Sequence, residues 1–294
     1  MAFNLKTFQT RTLTAIVFAA VMLTGLLWNQ WSFLILFSII HFGCWWEYFN
    51  LLEKIHNTSY HRYTRIGFIL LGFGMLLWFC DNSFEINNYH LKENFSLPVS
   101  IAGFVMLISG VFKTKQISLK AYGIAALGLI YISLSWGLMI DLYKEIDIYI
   151  HDTRLVMGGF AVPLIIIISI WINDTMAYVV GSLIGKTPLS KISPKKTWEG
   201  TIGGILLSVG VAGLIFYYYE YDGTWTFSVF IMILSAIASI AGTFGDLLES
   251  KLKRMANVKD SGNIMPGHGG FLDRFDSLLL ATPAVWLYIY FLIR

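Results

Sequence analysis

The residues of this chain whose types and spacing suit chemistry fall between Asn173 and Asp276, in four clusters of acids, bases and glycines set against apolar runs. The first is Asn173-Asp174-Thr175, followed by Gly181 and Gly185. A carboxylate inside an apolar run is costly unless it faces a polar interior, so Asp174 is either a site residue or the cap of a helix break. The second runs from Lys186 to Gly200 and centres on Ser193-Pro194-Lys195-Lys196-Thr197. Its lysines and hydroxyls can donate to phosphate oxygens, helped by the amides of a helix opening near Thr201. An ordinary basic loop would look similar. The third, Gly245-Asp246-Leu247-Leu248-Glu249-Ser250, puts Asp246 and Glu249 three residues apart, on one face of a helix. Asp246 closes a long apolar run, where a bound cation would offset its burial.

The fourth cluster says most. Lys251, Lys253, Arg254, Lys259 and Arg274 place five cations within 24 residues. Gly267, Gly269 and Gly270 surround His268, and glycine lets backbone approach a ligand closely. Asp273 and Asp276, again three apart, open the last apolar run. Hard oxygen ligands beside lysines and a glycine-rich loop are the parts that hold a Mg²⁺-bound nucleotide phosphate.

These clusters must be carried by membrane helices. Of 294 residues, 56% are hydrophobic and only 13% charged, too few to cover a water-soluble surface. Nine apolar runs are candidate spans: 12–28, 32–52, 66–80, 98–112, 121–140, 157–180, 200–219, 226–247 and 276–293. Those at 66–80 and 98–112 are short for a full crossing. With the N-terminus cytoplasmic, the segments 1–11, 53–65, 113–120, 181–199 and 248–275 hold 17 of the 21 Lys and Arg. Acids collect in the opposite loops, around 81–93 and 141–152. That alternation follows the positive-inside rule. The expectation is an all-α, polytopic integral membrane protein of about nine transmembrane helices, N-terminus cytoplasmic. It forms one membrane domain, 1–294, with scaffold spans in 1–156 and catalytic spans and loops in 157–294.

The N-terminal run has no small-residue cleavage site and reads as a retained span. Cys44 and Cys80 lie in apolar runs without metal-ligand spacing and are expected in the core. Glu47, beside Trp45 and Trp46, is expected to snorkel to the interface. No basic run with interleaved aromatics suggests a nucleic-acid partner. An anion transporter would need repeat symmetry and charges deep in several spans, and neither is seen. A structural membrane scaffold would not need the fourth cluster.

From Ser250 the chain reads Lys253-Arg254, Lys259-Asp260, Gly262, then Pro266-x-His268-Gly269-Gly270-Phe271-x-Asp273-Arg274-Phe275-Asp276, 27 residues without a gap. This resembles the signature of the phosphatidate cytidylyltransferase family, also called CDP-diacylglycerol synthase, with Met265 where Leu, Ile or Phe is usual. The segments Asp174–Gly185, Ser193–Gly200 and Gly245-Asp246 are similar to other blocks of that family. The resemblance implies that CTP and phosphatidate react to CDP-diacylglycerol and diphosphate, with Mg²⁺ required. It further implies a multi-pass protein of the cell inner membrane with its active site on the cytoplasmic side, and suggests a homodimer.

The resemblance also places the metal centre on Asp246 and Asp273, and the chemistry of the residues adds Asp276 and Glu249 as further ligand candidates. Lys195, Lys196, Lys253, Arg254 and Arg274 would divide the triphosphate and lipid phosphate between them. Ser250 and Lys259 join them as nucleotide-binding candidates within the signature. His268 with Gly269 and Gly270 would line the nucleotide or donate a hydrogen bond. A phosphate monoester is mostly dianionic at neutral pH, so its attack needs no general base. A CTP-dependent lipid kinase, or an enzyme taking an isoprenoid-ether phosphatidate, would share these parts.

Overall fold

The computed structural model describes residues 5–113, 119–150, 153–218, 226–264 and 269–293. In chain order the helices are α1 (Leu5–Leu27), α2 (Gln30–His56), α3 (Arg62–Trp78), α4 (Leu97–Lys113), α5 (Leu119–Gly128), α6 (Ser135–Asp141), α7 (Ala161–Ile184), α8 (Trp198–Tyr217), α9 (Thr226–Met255) and α10 (Leu272–Ile293). Wider π-turns, Lys92–Ser96 and Leu129–Leu134, lead into α4 and join α5 to α6. Among the described residues, seven continuous helices are long and apolar enough to cross a membrane. Thr12–Leu27 is a shorter apolar helix, and α3 has 17 residues. The protein is an all-α polytopic membrane protein, and each of the nine apolar runs falls on a helix.

Two features differ from the sequence reading. Both acidic loops contain small antiparallel hairpins, β1 (Glu85–Ile86) with β2 (Tyr89–His90) and β3 (Ile146–Ile150) with β4 (Thr153–Met157). The alternation Ile-Asp-Ile-Tyr-Ile of β3 has the period of a strand, a signal hidden by treating the segment as an acidic connection. Helix α9 also runs two turns past its apolar run, to Met255. Hydropathy marks where a helix leaves the apolar phase, not where its hydrogen bonds stop. Those bonds stop at Asn257, whose φ of 53° and bond to Arg254 O close the last turn. Lys251, Lys253 and Arg254 are therefore helical rather than part of a loop.

The chain forms two compact units, Met1–Asp141 with Leu252–Phe275, and Leu142–Lys251 with Asp276–Arg294. In the first, Trp45, Trp136, Phe33, Phe37 and Phe49 are fully buried. Phe37 packs on Trp136 at 5.2 Å and Trp136 meets Phe275 edge-on at 5.8 Å, contacts worth about 0.5–1.5 kcal/mol each. Ser133, in the second π-turn, takes the Trp45 indole N–H at 2.8 Å and lies 3.0 Å from His41 Nε2. Cys44 and Cys80 are buried free thiols, as expected.

In the second unit, glycines let backbones touch. A Cβ on Gly200 would stand 2.6 Å from Ala177 O, and one on Gly204 2.6 Å from Asn173 O. That closeness sets the head of α8 against the Asn173–Tyr178 stretch of α7. Deeper in, Ser208 Oγ donates to Ser169 O at 2.9 Å and lies 3.0 Å from Ser235 Oγ, joining α7, α8 and α9 through hydroxyls. Gly204→Ala is expected to lower the unfolding free energy by about 1–3 kcal/mol, through overpacking. Gly210→Ala on the same helix, with nothing within 4 Å of its Cβ, should stay level or gain up to about 1 kcal/mol. Thermal unfolding of both variants in detergent makes the comparison.

Candidate active site

Two constellations contain most of the residues singled out by sequence, one in each unit. In the second unit, Asp246 and Glu249 lie one turn apart on α9 and Asp276 enters from α10. One carboxylate oxygen of each lies within 4.8 Å of the others. Gly245 permits the approach: a Cβ there would collide with Asp276 O and stand 3.0 Å from Ser277 Cα. Glu249 is 0% and Asp276 9% exposed. Carboxylates at this spacing repel by roughly 3 kcal/mol per pair at an effective dielectric near 20. A divalent cation would reverse the sign, and three hard oxygens suit Mg²⁺. The donor set therefore fits the metal that the sequence implies. Lys196 Nζ pairs with Asp246 Oδ2, and Ser250 Oγ donates to Asp246 Oδ1 at 3.3 Å.

A cavity of about 380 Å³ opens beside this cluster, lined among others by Asn173, Asp174, Lys195, Lys196, Thr197 and Asp246. Helix α7 is continuous from Ala161 to Ile184, so the helix-break reading of Asp174 does not hold. The helix ends at Gly185, whose N–H closes the last turn on Gly181 O. The basic loop is fixed to the head of α8. Leu189 N–H donates to Lys196 O at 2.7 Å, and Trp198 N–H to Thr187 O at 3.0 Å. Thr197 is the N-cap, accepting from Gly200 N–H at 3.1 Å, so α8 opens at Trp198, earlier than Thr201. The Glu199 carboxylate accepts from the Lys186 and Thr187 amides at 3.2 Å and holds the far end of the loop. Sequence reasoning gave Glu199 no role, though an acid in the first turn of a helix is favoured by the helix dipole.

In the first unit, Asp273 is surrounded by donors. Lys253 Nζ stands 2.6 Å from Oδ1, while the Ser261 and Gly270 amides donate to Oδ2, each at 2.8 Å. Asp273 thus groups with Lys253, and Asp246 with Glu249 and Asp276. Gly269, at φ 85°, and Gly270 do bring backbone close to anions, but to carboxylates of the protein. A Cβ on Gly269 would lie 2.5 Å from Asp273 Oδ2, and one on Gly270 would collide with Glu47. Arg254, Lys259 and Arg274 are exposed. His268 and Gly267 lie outside the described residues.

Glu47 is the clearest correction. It is 2% exposed and so does not snorkel out of the protein. Its carboxylate accepts from Ser261 Oγ at 2.6 Å, Phe271 N–H at 2.8 Å and Leu272 N–H at 2.9 Å. Those donors lie more than 200 residues away in sequence, so no local pattern reveals them.

If Gly245 sets the spacing of the three carboxylates, Gly245→Ala should weaken Mg²⁺ binding at least about ten-fold, or ~1.4 kcal/mol. The measurement is the Mg²⁺ concentration at which the thermal midpoint of the detergent-solubilised protein rises.

Residues 9–292 match the Cytidylyltransferase family. The chain is 32% identical over 279 residues to a phosphatidate cytidylyltransferase of Staphylococcus saprophyticus, covering 94% of this chain and 96% of that one. It is 34% identical over 221 residues to the Bacillus subtilis enzyme of the same name, covering 74% and 76%. A Synechocystis phosphatidate cytidylyltransferase is 41% identical over 140 residues, 46% of this chain and 45% of its own. A match across nearly the whole length, taken with a carboxylate cluster and a lysine-lined cavity in the blocks read from sequence, places this chain in the cytidylyltransferase family.

Proposed function

We propose that the protein is a phosphatidate cytidylyltransferase, which joins CTP and phosphatidate into CDP-diacylglycerol and releases diphosphate. The observation that carries the reading is the Asp246–Glu249–Asp276 cluster, half-buried at Asp246 and buried at the other two, with Lys196 beside it at the wall of a cavity lined by Lys195, Thr197 and Asp174. Such an arrangement answers the central difficulty of the reaction, the meeting of two phosphate anions.

The attacking group is a phosphate oxygen of phosphatidate, already dianionic for the most part at neutral pH. No side chain has to remove a proton, and none is assigned that task. Lys195 and Lys196 neutralise and orient the phosphates, and the α8 amides behind Thr197 add partial positive charge. Ser250 steadies the Asp246 carboxylate. Asp246, Glu249 and Asp276 would hold Mg²⁺, which when bound supplies charge neutralisation for the triphosphate and the departing diphosphate. Lys253, held by Asp273, keeps a cation at the end of α9 and orders the signature loop.

The topology that goes with this reading has nine spans and a cytoplasmic N-terminus in the cell inner membrane, with the reacting groups on the cytoplasmic side. Its support is the 17 of 21 basic residues on that side. Water-soluble CTP then meets a lipid whose acyl chains stay in the bilayer. The family resemblance extends the proposal to a homodimer.

The test uses purified protein in detergent with phosphatidate, Mg²⁺ and CTP labelled at the α-phosphorus. Label is expected in organic-soluble lipid, abolished by EDTA and lowered at least about 100-fold by Asp246→Asn or Glu249→Gln. Transfer of γ-label instead would make the protein a lipid kinase. No transfer of either label would defeat the proposal.

A further inference from the structure

Helix α10 begins without a cap of its own. Its first amides need acceptors, yet the residues at its head are Gly270 and Phe271, neither of which has a side-chain acceptor. The acceptors come from two carboxylates and from Ser261 Oγ, which takes Asp273 N–H at 3.3 Å. Asp273, inside the first turn, reaches back to Gly270 N–H. Glu47, from the middle of α2, takes Phe271 N–H and Leu272 N–H. Ser261 Oγ stands 2.6 Å from Glu47 Oε2 and 2.9 Å from Asp273 Oδ2, with one proton between the two acceptors. The space is shaped to the Glu47 head group, since a Cβ on either Gly262 or Gly270 would collide with it.

A buried carboxylate aimed at a helix N-terminus with three donors is satisfied by those donors and by the helix dipole. The elements it ties together are α2, the loop around Ser261 and the head of α10, which carries Asp273 and, one turn later, Asp276. We infer that Glu47 is a positioning residue for the reaction: it caps α10 from α2 and fixes where the first turns of that helix hold their aspartates. It touches no substrate. The inference rests on the cytidylyl-transfer reading for its kinetic consequence and on geometry alone for the cap.

The experiment compares Glu47→Gln, Glu47→Asp, Gly262→Ala and the double variant Glu47→Asp/Gly262→Ala in the full-length, detergent-purified protein. The readouts are kcat, KM for CTP and the thermal midpoint, with assays well below the midpoint, and amide hydrogen exchange over 261–273. Glu47→Gln keeps the volume but presents one acceptor oxygen in place of two. It is expected to lower kcat about 10–100-fold, with KM for CTP moved less than about three-fold and exchange at Phe271 and Leu272 accelerated. Gly262→Ala should lower kcat by a similar factor in the parent. In the Glu47→Asp background, where the shorter carboxylate withdraws from the new methyl, it should cost less than about three-fold more.

A fallen midpoint with kcat and KM unchanged would reduce Glu47 to scaffold and overturn the inference. So would penalties that multiply in the double variant, or unchanged exchange in Glu47→Gln. If Glu47→Gln does not fold, the double-variant comparison and exchange in Glu47→Asp decide in the same way. A parent without transferase activity would defeat the functional reading, and with it the kinetic role of Glu47. Exchange would then still decide the cap.

Discussion

Carboxylates withdrawn from water must be answered by donors or cations, and this requirement organises the polar half of the molecule. Glu47 and Glu249 are almost fully buried, and Asp273 and Asp276 are nearly so. Each could stand where it does only with compensation at hand. For Glu47 and Asp273 the compensation is internal: backbone amides, a serine hydroxyl and Lys253. Asp246 has Lys196 and Ser250 beside it and Asp276 takes the Ser277 N–H, while the close spacing of these two with Glu249 suits a site that also holds a cation.

Glycine serves both groups, through the space that it leaves. Gly245 admits the α10 backbone and closes the carboxylate cluster, while Gly200 and Gly204 seat α8 against α7 at the cavity. Gly262 and Gly270 leave room for the Glu47 head group, and Gly269 combines a positive φ with contact to Asp273. In a membrane protein, where water does not drive helices together, such close approaches supply packing that larger side chains would prevent. They also fix distances between polar groups, because backbones in contact leave little slack.

The two lysine-bearing segments are held in different ways. Lys195 and Lys196 sit on a loop pinned at both ends, by Thr197 as cap and by Glu199 on the Lys186 and Thr187 amides. Such pinning gives a loop the rigidity that phosphate positioning needs. Lys253 sits instead on the last turn of α9, with its ammonium held by Asp273. Lys196 also meets a carboxylate, Asp246, and it is the proposed function that gives its segment to ligand phosphates.

Membrane class, the helical apolar runs, the family signature and most chemical residues were legible in the chain itself. Hydropathy, charge alternation and fixed motif spacing are local or periodic properties. Asp246 and Glu249 were paired by helix period, and Lys195 and Lys196 by their place before a helix. Helix length past the membrane phase was not legible, so Lys251 to Arg254 read as loop. Nor were the β3–β4 hairpin or the loop anchor at Glu199. The partners of a buried charge were least visible of all. Glu47 meets Ser261, Phe271 and Leu272 across more than 200 residues, and Asp276 joins Glu249 only because Gly245 lets two backbones touch. Composition and spacing determine which groups a chain carries and on which element. Which acids meet donors, and which meet one another, was decided only by tertiary packing, because that choice depends on contacts between segments remote in sequence.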